Sequence, residues 1–178
     1  IKSKGKMNKF EQFALNKQII KALNYAKFTE PTEIQNRVIP LLKKKQDILG
    51  VAQTGTGKTA AYVLPLLNNI TIDTSKYEKR SCKNIVIVPT RELAMQVYDN
   101  IKIFSKFLSI RTSLIVGGVK PKPQLVSISK GVDILVGTPG RIMDHLRTGG
   151  LLLDFTKTII LDEADQLMDL GFIPDIKK

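Results

Sequence analysis

Lys58 and Thr59 close the run Ala52-Gln53-Thr54-Gly55-Thr56-Gly57-Lys58-Thr59, an order that suits them to hold a phosphate chain. Gly55 and Gly57 let the backbone curl until successive N–H groups point at one anion. The Lys58 ammonium can then reach β- and γ-phosphates, and the Thr59 hydroxyl can ligate Mg²⁺. In the general pattern G-x-x-x-x-G-K-[ST] the first glycine is replaced here by Ala52. Much later, Asp162-Glu163-Ala164-Asp165 offers acids after an apolar run. Asp162 can hold Mg²⁺ through water, and Glu163 can orient or deprotonate an attacking water. Taken alone, such acids equally suit the first turn of a helix. With a phosphate loop in the same chain, the hydrolytic reading prevails.

A second set of residues has the chemistry of a nucleic-acid backbone site. Pro89-Thr90-Arg91, Gly117-Gly118 and Thr138-Pro139-Gly140-Arg141 each follow an apolar run. Thr90 and Thr138 stand where a helix N-cap is expected, each with an arginine close behind. An exposed hydroxyl, unpaired helical N–H groups and a cation near one point are equipment for a phosphate, and they carry no base information. Singly, each also reads as an ordinary cap or turn; three in one chain shift the balance. The formal net charge of +12 is uneven: residues 1–50 hold eleven Lys/Arg against four acids, whereas 123–178 hold six against eight. That suits a polyanionic partner, although a lysine-rich composition alone explains it as well.

These residues need elements to position them. Ile48–Val51 before the phosphate loop and Ala60–Asn68 after it predict strand, turn and helix, with a kink at Pro65. Ile85–Val88, Ser113–Val116, Ile134–Val136 and Thr158–Leu161 read as further strands. Helical patterns follow at Glu92–Phe107, Arg141–Leu146 and Ala164–Leu170, with a short helix near 124–129. Upstream, Leu15–Lys27 carries apolar residues at helical spacing behind Asn16. Thr32-Glu33-Ile34-Gln35 reads as a capping box for a helix to about Leu42. Strands alternating with helices predict an α/β fold, a mostly parallel sheet with helices on both faces, as one domain of 178 residues. Ligands of such sheets gather at the carboxyl ends of the strands, where the motifs fall. Residues 71–83 are expected as a surface loop carrying a reduced thiol, Cys82, and His145 is expected on a helix surface. One cysteine and one histidine exclude a disulfide framework or a Cys/His metal cluster. No run approaches the ~20 apolar residues of a membrane span.

Read together, the motifs resemble the N-terminal RecA-like domain of a DEAD-box RNA helicase. Asp162–Asp165 spells the signature, Ala52–Thr59 is similar to the family's first motif, where alanine leads, and Phe28–Gln35 is similar to its Q motif, with Phe10 as the upstream aromatic. Pro89–Ala94, Gly117-Gly118 and Thr138–Arg141 resemble its RNA-contacting motifs. The likeness runs from Phe10 to Phe172. Lys27 stands at the common glycine of the Q motif, Glu33 at a frequent proline and Gln166 at a frequent arginine; the turn before Phe28 is where a difference is expected.

The resemblance implies a RecA-like P-loop domain over residues 10–178 behind a basic flexible tail, 1–9. Met7 reads as a native start, with 1–6 as an added extension. It implies ATP and Mg²⁺ as cofactors, with Gln35 reading the adenine edge and Phe28 or Phe10 packing on the base. Ala52 to Thr59 would hold phosphate, Thr59 and Asp162 the metal, and Asp165 would link ATP to a second RecA-like domain beyond Lys178. Pro89, Thr90, Arg91, Gly117, Gly118, Thr138, Pro139, Gly140 and Arg141 would contact an RNA backbone. The implied activity is RNA-dependent ATP hydrolysis coupled to separating short duplexes, nearly silent without the arginine finger of the second domain. An ATP-dependent RNA clamp that recruits partners is the alternative. A P-loop GTPase or kinase fits less well, there being no [NT]-K-x-D motif. The short lead resembles compact bacterial members, which implies a cytoplasmic protein, a nuclear or nucleolar one staying open.

Overall fold

The structure is a computed structural model and describes residues 8–177. The chain forms two compact units. One takes in the described residues up to Thr74 together with Asn100–Ser109; the other takes in Ser75–Asp99 and the residues from Ile110 on. Of the expected basic tail, residues 1–7 lie outside the described part. Asn8 and Lys9 do not belong to a tail. Asn8 is buried, its carboxamide donating to Asn24 Oδ1 and to the Phe28 carbonyl at 2.7 Å each, and Lys9 opens a 3₁₀ helix, Lys9–Phe13.

The first unit continues with α1 (Lys17–Tyr25), α2 (Glu33–Lys43) and α3 (Lys58–Thr71). Asn16 caps α1 as its sequence suggests, accepting from Gln18 N at 2.9 Å. The end of α1 is set by Lys27, whose φ of 61° is left-handed. Phe28 N then reaches back to Leu23 O at 2.8 Å and Lys27 N to Asn24 O at 3.1 Å, the double closure of a Schellman motif. Glycine suits that position because it has no Cβ to crowd the carbonyl; Lys27 takes this left-handed conformation with its Cβ in place. Ile19, Ala22 and Leu23 bury one stripe of α1, and α2 packs against α3. Pro65 stands inside α3, which runs unbroken.

The second unit is built on β1 (Cys82–Ile87), α4 (Arg91–Phe104, its residues from Asn100 belonging to the first unit), β2 (Thr112–Ile115) and α5 (Pro121–Ile128). It continues with β3 (Val132–Gly137), α6 (Pro139–Arg147), β4 (Thr158–Leu161), α7 (Ala164–Asp169) and α8 (Ile173–Ile176). The sheet is wholly parallel in the order β2-β3-β1-β4, with Asn84 opposite both Ile134 and Thr158. Ile85, Ile115, Ile128, Val132, Leu135 and Ile142 form its core with Cys82.

Three further expectations fail. Ile48–Val51 is not a strand: its backbone has no regular structure, and Leu49 and Val51 are each 89% exposed. An apolar run has strand character only when a neighbouring strand completes its hydrogen bonds and covers its side chains. Cys82 is not a loop thiol but the fully buried first residue of β1, and burial pushes its thiol up to about 11. His145 is not on a helix surface. It is 2% exposed, on the stripe of α6 that buries Pro139 and Ile142, and its pKa is lowered by burial and then by the charge of Arg141.

Candidate functional site

In the first unit the capping box and the phosphate loop are joined by one side chain. Thr32 Oγ1 accepts from Gln35 N at 3.5 Å, and Gln35 Oε1 accepts from Thr32 N at 3.0 Å, so the start of α2 is capped reciprocally. The other end of the same amide reaches the loop: Gln35 Nε2 donates to Gly57 O at 3.1 Å. Gly57 is the N-cap of α3 with φ 89°, and a Cβ there would fall on Gln35 Nε2. The amide is thereby 2% exposed and committed at both ends. An amide has two N–H groups and two lone-pair directions, so a second bond at either end is still chemically open.

Along the loop, Thr56 Oγ1 donates to Gln53 O at 2.7 Å and closes the turn around Gly55, φ 84°. Gln53, Thr54 and Gly55 are exposed, while Ala52, Thr56, Lys58 and Thr59 are half-buried. Gly57, the N-cap of α3, has no side chain with which to cap it, and the positive dipole end of the helix is directed at the loop. Of the two aromatic candidates, Phe28 keeps 40% of its surface exposed and sets its ring edge-on to Phe104 at 5.3 Å. Phe10 is wholly enclosed, edge-on to Phe13 at 6.0 Å, and holds the core instead of offering a face to a base.

In the second unit, the carboxyl ends of β1, β2 and β3 bring the three backbone-contact segments together. Arg91 lies with its guanidinium against Gly118, where a Cβ would strike Nη1 and stand 3.1 Å from Cζ. Gly118 has φ 74°, so both its conformation and its neighbour call for glycine. Arg141 Nη1 donates to Val119 O at 2.9 Å, and its Nε stands 3.8 Å from Asp144. Thr90 accepts from Leu93 N at 3.3 Å as an N-cap does. Thr138 occupies the N-cap of α6 without a side-chain cap bond, and it is 9% exposed, so the open hydroxyl expected there is largely covered. Pro89 and Pro139 are buried; Arg91, Gly118 and Gly140 are exposed; Thr90, Gly117 and Arg141 lie between.

At β4, Asp162 N extends the ladder by donating to Ile87 O at 3.0 Å, and Asp162 Oδ1 accepts from Glu163 N at 3.0 Å. Glu163 is left-handed, φ 51° and ψ 51°, at the N-cap of α7, and Asp165 stands exposed in the first turn. A side chain in that conformation is strained by Cβ crowding and marks a position of interest. Thr59 and Asp162 are hard oxygen donors of the kind Mg²⁺ takes alongside waters. Among the described residues no three His, Cys, Asp or Glu cluster to hold a metal by themselves.

Two features of the second unit had no signal in isolated motifs. A cavity of about 350 Å³ lies at the amino ends of β1 and β3, lined by Tyr77, Lys83, Val132, Phe155 and Lys157 among others. It sits at the opposite end of the strands from the motifs that follow β1, β2, β3 and β4. Buried Gln124 on α5 donates from Nε2 to Val116 O at 2.8 Å and meets His145 Nε2 at 3.2 Å. The only sequence hint was a polar residue on the same helical stripe as Ile128.

The family model described as DEAD/DEAH box helicase matches residues 32–178. The chain is 42% identical over 171 residues to an ATP-dependent RNA helicase, CshA, of Listeria monocytogenes, covering 96% of this chain and 32% of that protein. It is 45% identical over 169 residues to the ATP-dependent RNA helicase DeaD of Buchnera aphidicola, covering 94% and 27%. The chain therefore spans about a third or less of these relatives. Among solved structures, a DEAD box protein of Methanococcus jannaschii superposes with a TM-score of 0.84 at 38% identity, over 97% of this chain and 46% of that one. A hypothetical ATP-dependent RNA helicase from Sulfolobus tokodaii gives 0.82 at 34%, over 92% and 46%. The sheet and helices are those of RecA-like DEAD-box domains.

Proposed function

The chain belongs to the DEAD/DEAH box helicase family, and from that premise we propose that it is the ATP- and RNA-binding RecA-like half of an RNA-dependent ATPase that separates or remodels short RNA duplexes. The observation that carries the reading is the Gln35 amide, bonded at once to the cap of α2 and to the Gly57 carbonyl of the phosphate loop. A group of that kind, both donor and acceptor, suits adenine over guanine, and its bond to Gly57 ties the choice of base to the loop that takes the phosphates. Phe28, with an open face, packs on the base. Ala52 to Thr59 hold the phosphates, Lys58 neutralising the β- and γ-oxygens; the Thr59 hydroxyl and the Asp162 carboxylate are the oxygens that would hold Mg²⁺, which would supply positive charge to the phosphoryl group. Glu163 orients the attacking water and takes its proton. Asp165 carries the nucleotide state to a second RecA-like half. Arg91, Gly118, Arg141 and their neighbours hold an RNA backbone without reading sequence.

The test is nucleotide competition against a fluorescent ADP bound to the chain. ATP is expected to displace it and GTP to do so at least tenfold less well, Gln35→Ala removing the preference; equal competition by GTP overturns the reading. For these 178 residues alone we expect binding with little turnover, because the family's second half supplies a cation whose loss costs ~10³ or more in rate. RNA-stimulated turnover at the level of a two-domain enzyme would refute that.

A further inference from the structure

We propose that Gln124, supported by His145, is a positioning residue for RNA: it sets the Gly117–Lys120 loop relative to the start of α6, so that Arg91, Gly118 and Arg141 meet one backbone together. The inference rests on the reading of those residues as an RNA interface. Gln124 Nε2 must be the end that faces Val116 O, because a carbonyl accepts only from a donor. That fixes Oε1 toward His145, and His145 then donates from Nε2. One buried amide thus spans from the last residue before Gly117-Gly118 to the helix that begins behind Thr138. Each partner adjoins a different contact segment, and the Gln124 and His145 side chains lie in the interior, at 6% and 2% exposure.

The loop between these anchors is only four residues long, from Val116 to the first residue of α5, Pro121. Its outer side is held by the Arg141 bond to Val119 O and lies against Arg91. Arg91 is exposed and exchanges with water and with ligand phosphates, and the Arg141 bond to Val119 O lies at the surface, so neither sets the spacing by itself. The buried amide does. Without it, Val116 O and the His145 ring lose their partners in a place water does not reach, and the loop and α6 can separate. The effect falls on the arrangement of three contacts that bind one polyanion, not on any group that touches ATP.

The test measures RNA-stimulated ATPase in the full-length protein carrying this chain, with Gln124→Met, His145→Leu, His145→Gln and, as a control on the interface itself, Arg91→Ala. Gln124→Met keeps volume and removes both bonds. The half-saturating RNA concentration is expected to rise roughly tenfold, two buried polar groups having lost their partners, with KM for ATP unchanged. His145→Leu should follow it, and His145→Gln, which keeps a donor, should stay near the parent. A role confined to stability would lower the melting temperature and leave half-saturation where it is. If Arg91→Ala weakens RNA and Gln124→Met does not, the positioning role is overturned. If neither does, the interface reading falls, and this inference with it. Should Gln124→Met fail to fold, the His145 pair decides: equal RNA half-saturation in Leu and Gln variants overturns the role.

Discussion

Replacing Gly57 by alanine tests the joint between base and phosphate recognition, and Gly55 provides its control. Both glycines are left-handed, φ 84° at Gly55 and 89° at Gly57, so a Cβ at either costs about 1–2 kcal/mol. At Gly55 that is the whole cost, since nothing lies within 4 Å of the added atom. At Gly57 the methyl falls on Gln35 Nε2 and stands 3.1 Å from Thr32 Oγ1, so the amide must leave. Its departure breaks the bonds to Gly57 O and to Thr32 N, and buried groups left without partners cost about 1–3 kcal/mol. Gly55→Ala should therefore cost about 1–2 kcal/mol and Gly57→Ala about 2–5 kcal/mol. Urea unfolding followed by far-ultraviolet circular dichroism measures both, with an unchanged m-value showing that only stability moved. Repeated in a Gln35→Ala background, the cost of Gly57→Ala should fall to that of Gly55→Ala. Equal costs at the two glycines, or a cost at Gly57 indifferent to Gln35, would refute the reasoning.

Three further predictions concern single positions. Lys27→Gly should stabilise the chain by about 0.5–1 kcal/mol, because glycine takes the left-handed C-terminal position of α1 without Cβ strain; a lower melting temperature would count against it. Cys82 holds its proton to about pH 11 in the fold, against an ordinary value near 9, so unfolding releases a group that ionises earlier. Stability should be intact below pH 9 and decline by at most about 2–3 kcal/mol toward pH 11, and Cys82→Ala should flatten that decline in urea midpoints taken across the range. Gly118→Ala should displace Arg91 and weaken binding of a single-stranded oligoribonucleotide, the slope of log affinity against log salt shrinking by about 0.7 for one lost phosphate contact; fluorescence anisotropy with an unchanged slope would contradict it.

What the sequence made legible was whatever local rules govern. Asn16, Thr32 and Gln35 read as caps because capping is decided within four residues, and the strands before Pro89 and Thr138 followed from continuous apolar runs, although both begin earlier than those runs, at Cys82 and Val132. Cys82 was lost because its neighbours Lys83 and Asn84 look like loop residues. Both are buried by partners fifty positions away: Lys83 lies 3.7 Å from Asp133, and Asn84 Nδ2 donates to Asp133 O at 2.9 Å. Polar residues in a strand can be read as such only when their partners are known. His145 was recoverable, since Pro139, Ile142 and His145 recur every third residue on α6, and the charged neighbours Asp144 and Arg147 obscured it. The second bond of Gln35 had no signature, because a residue already explained as a cap gives no cause to seek another role.

Glu163 sits where a left-handed backbone disfavours any residue with a Cβ by about 1–2 kcal/mol relative to glycine. A screen of this chain for heat resistance alone would therefore enrich Gly or Asn at 163 and discard the proposed base along with the strain. Engineering for durability has to hold that codon fixed.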